Sequence, residues 1–180
     1  MATALIYLNR YPFIVERMYE GALPTADPKQ TAAWWKETER LNKSTTAASR
    51  VLDKALKRVT LLQKTLIRTT SAPGNLDSEL HRIKQILLAL DEQLNGNRSK
   101  REIGEKNNPT IARRLNMASS LNSTYGPTPM HKRSLEIAAT EFKELRKNLE
   151  NIINMELPKV EDALKAAGAP WIEGQPIPEY

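Results

Sequence analysis

Residues 41–66 read LNKSTTAASRVLDKALKRVTLLQKTL, and this stretch decides the fold class. Apolar and small residues recur in it at alternating spacings of four and three: Leu41, Thr45, Ala48, Leu52, Ala55, Val59, Leu62 and Leu66. That spacing places all of them on one side of an α-helix. Such a helix gains most of its stability by packing that side against neighbours, so the stretch predicts a helical bundle.

This helix has a clear beginning and a distant end. Asp27 is placed to cap it, Pro28 would be its first residue, and Gln30 stands where a capping box has Glu or Gln. After Pro28, no glycine or proline follows until Pro73. We predict a helix over about 28–69, roughly 60 Å long at the standard rise per residue.

The same spacing predicts three further helices. The second covers about 75–95, with Asn75 as its cap, and the third covers about 109–124, with Asn108 as its cap and Pro109 first in the helix. The fourth covers about 129–167 and starts at Thr128-Pro129. In this last helix the apolar positions shift by one residue just before Pro158, which must kink or split the helix because proline has no N–H to donate.

The predicted fold is therefore all-α: an irregular up-and-down bundle of four helices, two long and two shorter, with an extended segment at each end. We divide the chain into an extended segment or linker at 1–26, a bundle at 27–168 and a Pro-rich tail at 169–180 packed on the bundle. Pro12 argues against a central strand in the first segment. The polar residues 95–108 predict a long exposed loop.

The composition excludes several kinds of site. The absence of cysteine rules out disulfides, thiolate zinc sites, iron–sulfur clusters and a cysteine nucleophile. Apolar runs such as 4–8 and 86–90 are far shorter than the roughly 18 residues of a membrane-spanning helix. The net charge of +6, from 27 basic and 21 acidic residues, permits an acidic partner without requiring one.

No catalytic motif can be read from the chain. Di-metal sites in helical bundles use Glu-x-x-His pairs, but the residues three positions before His81 and His131 are Ser78 and Thr128. The glycines form no phosphate-binding loop, and G-x-S-x-G is absent. We expect no catalytic, cofactor-binding or metal-binding residue, and we predict that the chain is not an enzyme.

Two groups of residues could instead bind a partner. Basic residues are densest in one region, although Glu102 and Glu105 interrupt it: Arg98, Lys100, Arg101, Lys106, Arg113 and Arg114. Tryptophans can anchor interfaces, and the chain has Trp34, Trp35 and Trp171. The simpler interpretation is that one residue of the Trp34–Trp35 pair is buried against the N-terminal segment and that Trp171 packs on a helix end.

The second half of the chain carries a family resemblance. It lies in PTIARRL (109–115), STYGPTPMH (123–131), ELPKVE (156–161) and AAGAPWIEGQPIP (166–178). These segments resemble the extreme C-terminus of large exported bacterial proteins, the sortilin-type, sialidase-like β-propeller proteins with BNR or Asp-box repeats that are described as glycosyl hydrolases. In that family, the propeller is followed by a small β domain and then by a helical domain. The resemblance covers about residues 27–180 and implies export with the parent, whose signal peptide would lie outside this chain.

The leading hypothesis is a non-catalytic C-terminal helical domain that packs against, stabilises or positions a β-rich module of a secreted or periplasmic parent. Any hydrolase chemistry would belong to the propeller, because the Asp-box motif Ser-x-Asp-x-Gly-x-Thr-Trp is absent here. Two alternatives stay open: a free-standing helical adaptor that binds another protein, and weak nucleic-acid binding through residues 98–114. None of the three involves a membrane, and the sequence does not predict the oligomeric state.

Overall fold

A computed structural model describes residues 26–70, 74–105, 108–120, 125–172 and 176–177, together with the backbone of residues 4–8 and 11–15. Its helices are α1 (Pro28–Ile67), α2 (Asn75–Asn95), α3 (Arg98–Glu102), α4 (Ile111–Ser119), α5 (Pro129–Asn151) and α6 (Leu157–Ala166). A π-helical segment, Ile152–Glu156, joins α5 to α6 and is called the π-turn below. The predicted all-α bundle is confirmed.

A β-hairpin precedes the bundle in the chain. Strands β1 (Ala4–Leu8) and β2 (Tyr11–Val15) pair antiparallel, and a two-residue connection joins them. The sequence predicted extended backbone here but did not predict that the two strands pair. Pro12 does lie in one of these strands, opposite Tyr7.

The helices are arranged as three rods. The first is α1, and α2 runs antiparallel to it: Lys84 bonds to Gln63 at 3.2 Å, and Asn95 bonds to Ser49 at 3.1 Å further along. After the short helix α3, α4 packs against α1, as α2 does, and also against α5. We therefore describe α2 and α4 together as the second rod. The third rod is α5, the π-turn and α6.

The predicted apolar positions form the core. Six of the eight predicted positions in α1 are buried, while Leu41 and Leu66 are half-buried. In α2, all six residues that follow the same spacing of four and three are buried: Leu76, Leu80, Ile83, Leu87, Leu90 and Leu94. The same holds for the third rod: Leu135, Ala138, Phe142, Leu145, Leu149, Ile152, Leu157, Val160 and Leu164. Leu88, which also lies on α2, is 43% exposed. In the tail, Ile172 is buried in the main core.

The helix ends differ from the prediction in three places. Asp27 caps α1 as expected and accepts the Lys29 N–H at 3.0 Å, but the described contacts contain no reciprocal bond from Gln30. Asn75 is not a cap, because Gly74 occupies the cap position of α2 without a side-chain bond. α4 begins two residues later than predicted.

The cap of α4 is Thr110, whose hydroxyl accepts the Arg113 N–H at 3.1 Å. Thr110 has extended backbone angles, with φ −83° and ψ 165°, so Asn108 and Pro109 lie before the helix. At the other end α4 closes at Ser119, and the predicted continuation over 121–124 lies outside the described residues.

The segment 95–108 is not wholly a loop. It contains the short helix α3, whose cap Asn97 accepts the Lys100 N–H at 3.2 Å. Gly96 separates α2 from this helix. Its φ is +90°, a backbone conformation that residues other than glycine rarely adopt. A Cβ at this position would lie 3.1 Å from the methyl group of Thr110.

The π-turn explains the shift before Pro158. Buried positions step from Ile152 to Leu157, which is five residues where a regular α-helix needs three or four. The turn takes up that extra residue, because the Leu157 N–H bonds to the Ile152 carbonyl, five positions back. Pro158 follows as the second residue of α6, so the chain stays helical and does not split there.

Candidate functional site

Three of the predicted basic residues line the gap in the second rod, between α2 and α4. Two polar clefts of about 380 and 550 Å³ open there and share part of their walls. Lys100 lines the smaller cleft, while Arg101 and Arg113 line the larger one. The side chain of Arg98 and all of Lys106 lie outside the described residues.

Carboxylates divide this basic region. Lys100 Nζ lies 3.0 Å from Glu92 Oε1, and Arg114 Nε lies 3.5 Å from Glu141 Oε2. Glu105 lines the larger cleft beside the arginines. Because opposite charges alternate here, the region is not a continuous basic surface of the kind that follows a phosphate backbone.

Three of the uncharged polar side chains in these clefts already bond within the fold: Asn95, Asn97 and Thr110. The side chains of Asn97 and Thr110 cap α3 and α4. The Asn95 amide donates to Asp91 Oδ1 at 2.7 Å as well as to Ser49. Among the described residues of the larger cleft, Arg101 and Arg113 are the cations that could attract an anion.

The histidines have ordinary positions. His81 is exposed on α2. His131 completes a capping box at α5: its Nδ1 accepts the Thr128 N–H at 3.2 Å, and the Thr128 hydroxyl accepts the His131 N–H at 3.3 Å. The sequence signal was Thr-x-x-His, which differs from the usual Thr-x-x-Glu. Among the described residues, no group of three or more potential ligands could hold a metal ion.

The three tryptophans are not equivalent. Trp34 is buried in a second, smaller core cluster with Leu115, Ala118 and Leu135, so its described contacts are with α4 and α5. We predicted that one residue of the Trp34–Trp35 pair would be buried against the N-terminal segment. The side chains of that segment lie outside the described residues, so this stays a prediction. Trp35 is 40% exposed. Trp171 is 53% exposed, and its Nε1 donates to the Pro176 carbonyl at 3.2 Å.

Two ion-pair networks tie the rods together, and sequence reasoning missed both. The buried Glu161 of α6 accepts from Nε and Nη2 of Arg58 in a bidentate pair with α1. Since both carboxylate oxygens are engaged, the geometry fits a structural role better than proton transfer. The residues are 103 positions apart, so no local pattern could have identified this pair.

The second network joins α2 to the π-turn. Arg82 pairs with Glu79 at 2.7 Å and with Glu156 at 2.5 Å, and the Asn151 amide donates to Glu156 at 2.8 Å. The hydrogen bond from Arg82 lowers the pKa of Glu79 below its usual value. The bonds to Glu79 and Glu156 in turn raise the pKa of Arg82. The arginine therefore stays charged and links the second rod to the third.

Two shallow apolar grooves run between the rods. The α1–α2 groove is open and has two lysines beside its leucines: it is lined by Leu56, Lys57, Thr60, Leu61, Lys84 and Leu88. The α1–α5 groove, of about 270 Å³, has Val51 on its rim, 38% exposed, and Phe142 and Leu149 in its wall. These surfaces suit contact with another protein better than the binding of a small polar substrate.

No helix in the described part of the chain combines the length and apolar character needed to span a bilayer. Comparison with known proteins gave no match, whether to a family model, to a curated protein or to a solved structure.

Proposed function

We propose that this chain is a non-catalytic helical domain that packs on, and holds in position, a β-rich module of a larger exported protein of the sialidase-like β-propeller class. One observation carries the proposal: within the described residues, a β-hairpin of two strands precedes a helical bundle. An isolated two-stranded hairpin is marginal in water, and further strands or a packed face are what make it stable. The hairpin therefore calls for further strands or a face to pack on, and the proposal assigns this role to the β-rich module.

The surface of the bundle is consistent with a role in contact. The described clefts are lined by helix caps and paired charges, and the more apolar surface lies in shallow grooves along α1. The resemblance of residues 109–178 to the end of exported β-propeller proteins supplies the class of the parent. Hydrolase activity, secretion and substrate would then be properties of that parent.

The test begins with the reading frame around the codon of Met1. The proposal requires that the frame extend upstream into a β-rich module with Asp-box motifs. That module and this chain, expressed separately, should then form a 1:1 complex on size-exclusion chromatography, and glycosidase activity should be found in the module alone. Turnover of a glycoside by this chain by itself would refute the non-catalytic role.

A free-standing adaptor is the second candidate, and the exposed Val51 and Trp35 favour it. It requires a stable complex with a protein encoded elsewhere and no β-rich module in the frame.

A further inference from the structure

The hairpin register shows which backbone groups of each strand point away from the partner strand. Leu8 and Tyr11 face each other across a connection of two residues. The two connecting residues, 9 and 10, are neighbours in the chain and cannot form a further pair of the ladder. Leu8 and Tyr11 are therefore a bonded pair and exchange backbone hydrogen bonds. Because bonded and non-bonded pairs alternate in an antiparallel ladder, the next pair, Tyr7 with Pro12, is non-bonded. Leu5 with Ile14 is non-bonded for the same reason.

Pro12 agrees with this assignment on independent grounds. Proline has no N–H and cannot take part in a bonded pair, so the non-bonded position is the one open to it. The backbone groups of a non-bonded residue point away from the partner strand. At Pro12 the outer edge of β2 therefore lacks a donor.

The outer edge of β1 has no such defect. Leu5 and Tyr7 are the residues opposite Ile14 and Pro12, so their N–H and C=O groups point away from β2. Two donors and two acceptors thus form a regular ladder edge on β1, whereas the same stretch of β2 offers the Ile14 N–H and no N–H at Pro12.

The composition of the strands indicates that the β1 edge is covered. Native sheets protect open edges with charged residues, proline or bulges. β1 reads ALIYL and β2 reads YPFIV, so proline is present in β2 alone and neither strand has a charge. Strands with continuous apolar sequence are typical of sheets that are covered on both faces.

We propose that β1 pairs through the backbone of Leu5 and Tyr7 with an extended strand of the β-rich module, and that β2 is the outer edge of the combined sheet. This rests on the proposed function, because it names the element by which the domain docks. Main-chain ladder bonds give such strand addition its affinity.

Prolines at Leu5 and Ile14 test the proposal as a matched pair. These two residues are opposite each other in a non-bonded pair, so either substitution keeps the hairpin's own hydrogen bonds. Leu5→Pro removes a donor from the β1 edge, while Ile14→Pro removes one from the β2 edge. The probe is the separately expressed upstream module, titrated by calorimetry against the full 180-residue chain.

We expect Leu5→Pro to weaken the complex about 10- to 100-fold, which is the usual effect of leaving one buried backbone group unpaired. Ile14→Pro should change affinity by less than about threefold, because its N–H would face solvent. In the wild type, the Leu5 and Tyr7 amides should become protected from hydrogen exchange when the module binds.

Equal effects of the two prolines, or a larger effect of Ile14→Pro, would overturn the edge assignment and leave the proposed function standing. Absence of any complex with the wild-type chain would overturn both. If mass photometry shows that the chain dimerises and that Leu5→Pro alone abolishes the dimer, the β1 edge binds a second copy and the module is not its partner.

Discussion

Deleting Asn154 from the π-turn should be tolerated when Pro158 is replaced as well, whereas deleting an exposed residue from α5 should not. The five-residue step from Ile152 to Leu157 becomes four residues when Asn154 is removed, so a regular α-helix can replace the π-turn while Leu157 and its successors stay in the core. The remaining cost is Pro158, whose ring clashes with a carbonyl in a regular helix and destabilises it by about 3 kcal/mol. The double variant, Asn154 deleted with Pro158→Ala, should therefore lie within about 1 kcal/mol of the wild type.

Deletion of Glu144, an exposed residue of α5, is the matched control. It turns the following residues by about 100° and takes Leu145, Leu149 and Ile152 out of the core. At about 1.5–3 kcal/mol for each side chain, the loss is about 5–9 kcal/mol, similar to the whole stability of many domains. Urea unfolding followed by circular dichroism measures both variants. If the Asn154/Pro158 double variant is as unstable as the Glu144 deletion, the π-turn does not accommodate the extra residue and our explanation of it is wrong.

Three further predictions concern single substitutions, each measured by the same unfolding experiment. Gly126→Ala should destabilise the fold by about 2–4 kcal/mol, because φ is +80° and the new Cβ would lie 2.4 Å from the Cβ of Ala26. Gly104→Ala is the control: φ is +74° there too, but no atom lies near the new Cβ, so the loss should be about 1–2 kcal/mol. Equal losses would show that the contact at Gly126 is unimportant. Thr128→Ala should cost about 1 kcal/mol by removing the α5 cap, and no change would argue against the capping box. Arg82→Met should lower the free energy of unfolding at neutral pH, and by less in acid. Arg82 lowers the pKa of Glu79, so its contribution to stability is present above the ordinary pKa of 4.5 and is lost as the pH falls through the lowered pKa. A variant whose deficit is constant from pH 7 to about pH 3 would contradict this.

The helices could be predicted because burial leaves a period in the sequence. Every predicted core position of α2 is buried. The one-residue shift before Pro158 coincides with the π-turn, although we had predicted a kink or a split there and not a π-helical segment. The start of α4 was wrong because Asn108 and Thr110 are both good caps. Local sequence does not choose between them, and the choice depends on how Ile111 meets the other rods, where it is fully buried.

The surface was harder to predict than the core. The sequence placed Glu102 and Glu105 within the basic region, but it did not show which carboxylates pair with the basic residues. The carboxylate paired with Arg114 is 27 positions away, so its effect depends on the packing of α4 against α5. Charge along the chain predicted where cations are dense, but it did not predict how far other elements neutralise them.

The bundle and the hairpin differ in how far each completes its own hydrogen bonds and core. Within the described residues, the three rods cover one another's apolar sides, and the tail adds Ile172 to the main core. The hairpin does not complete itself in this way, since the Leu5 and Tyr7 backbone groups of β1 point away from β2 and pair with no other strand in the part of the chain that the structure describes. A change in the core should therefore lower the free energy of unfolding of the chain, whereas a change at the β1 edge should lower its affinity for the module and leave the unfolding of the helices unaltered. Measuring both quantities on one set of variants separates what holds the bundle together from what it binds.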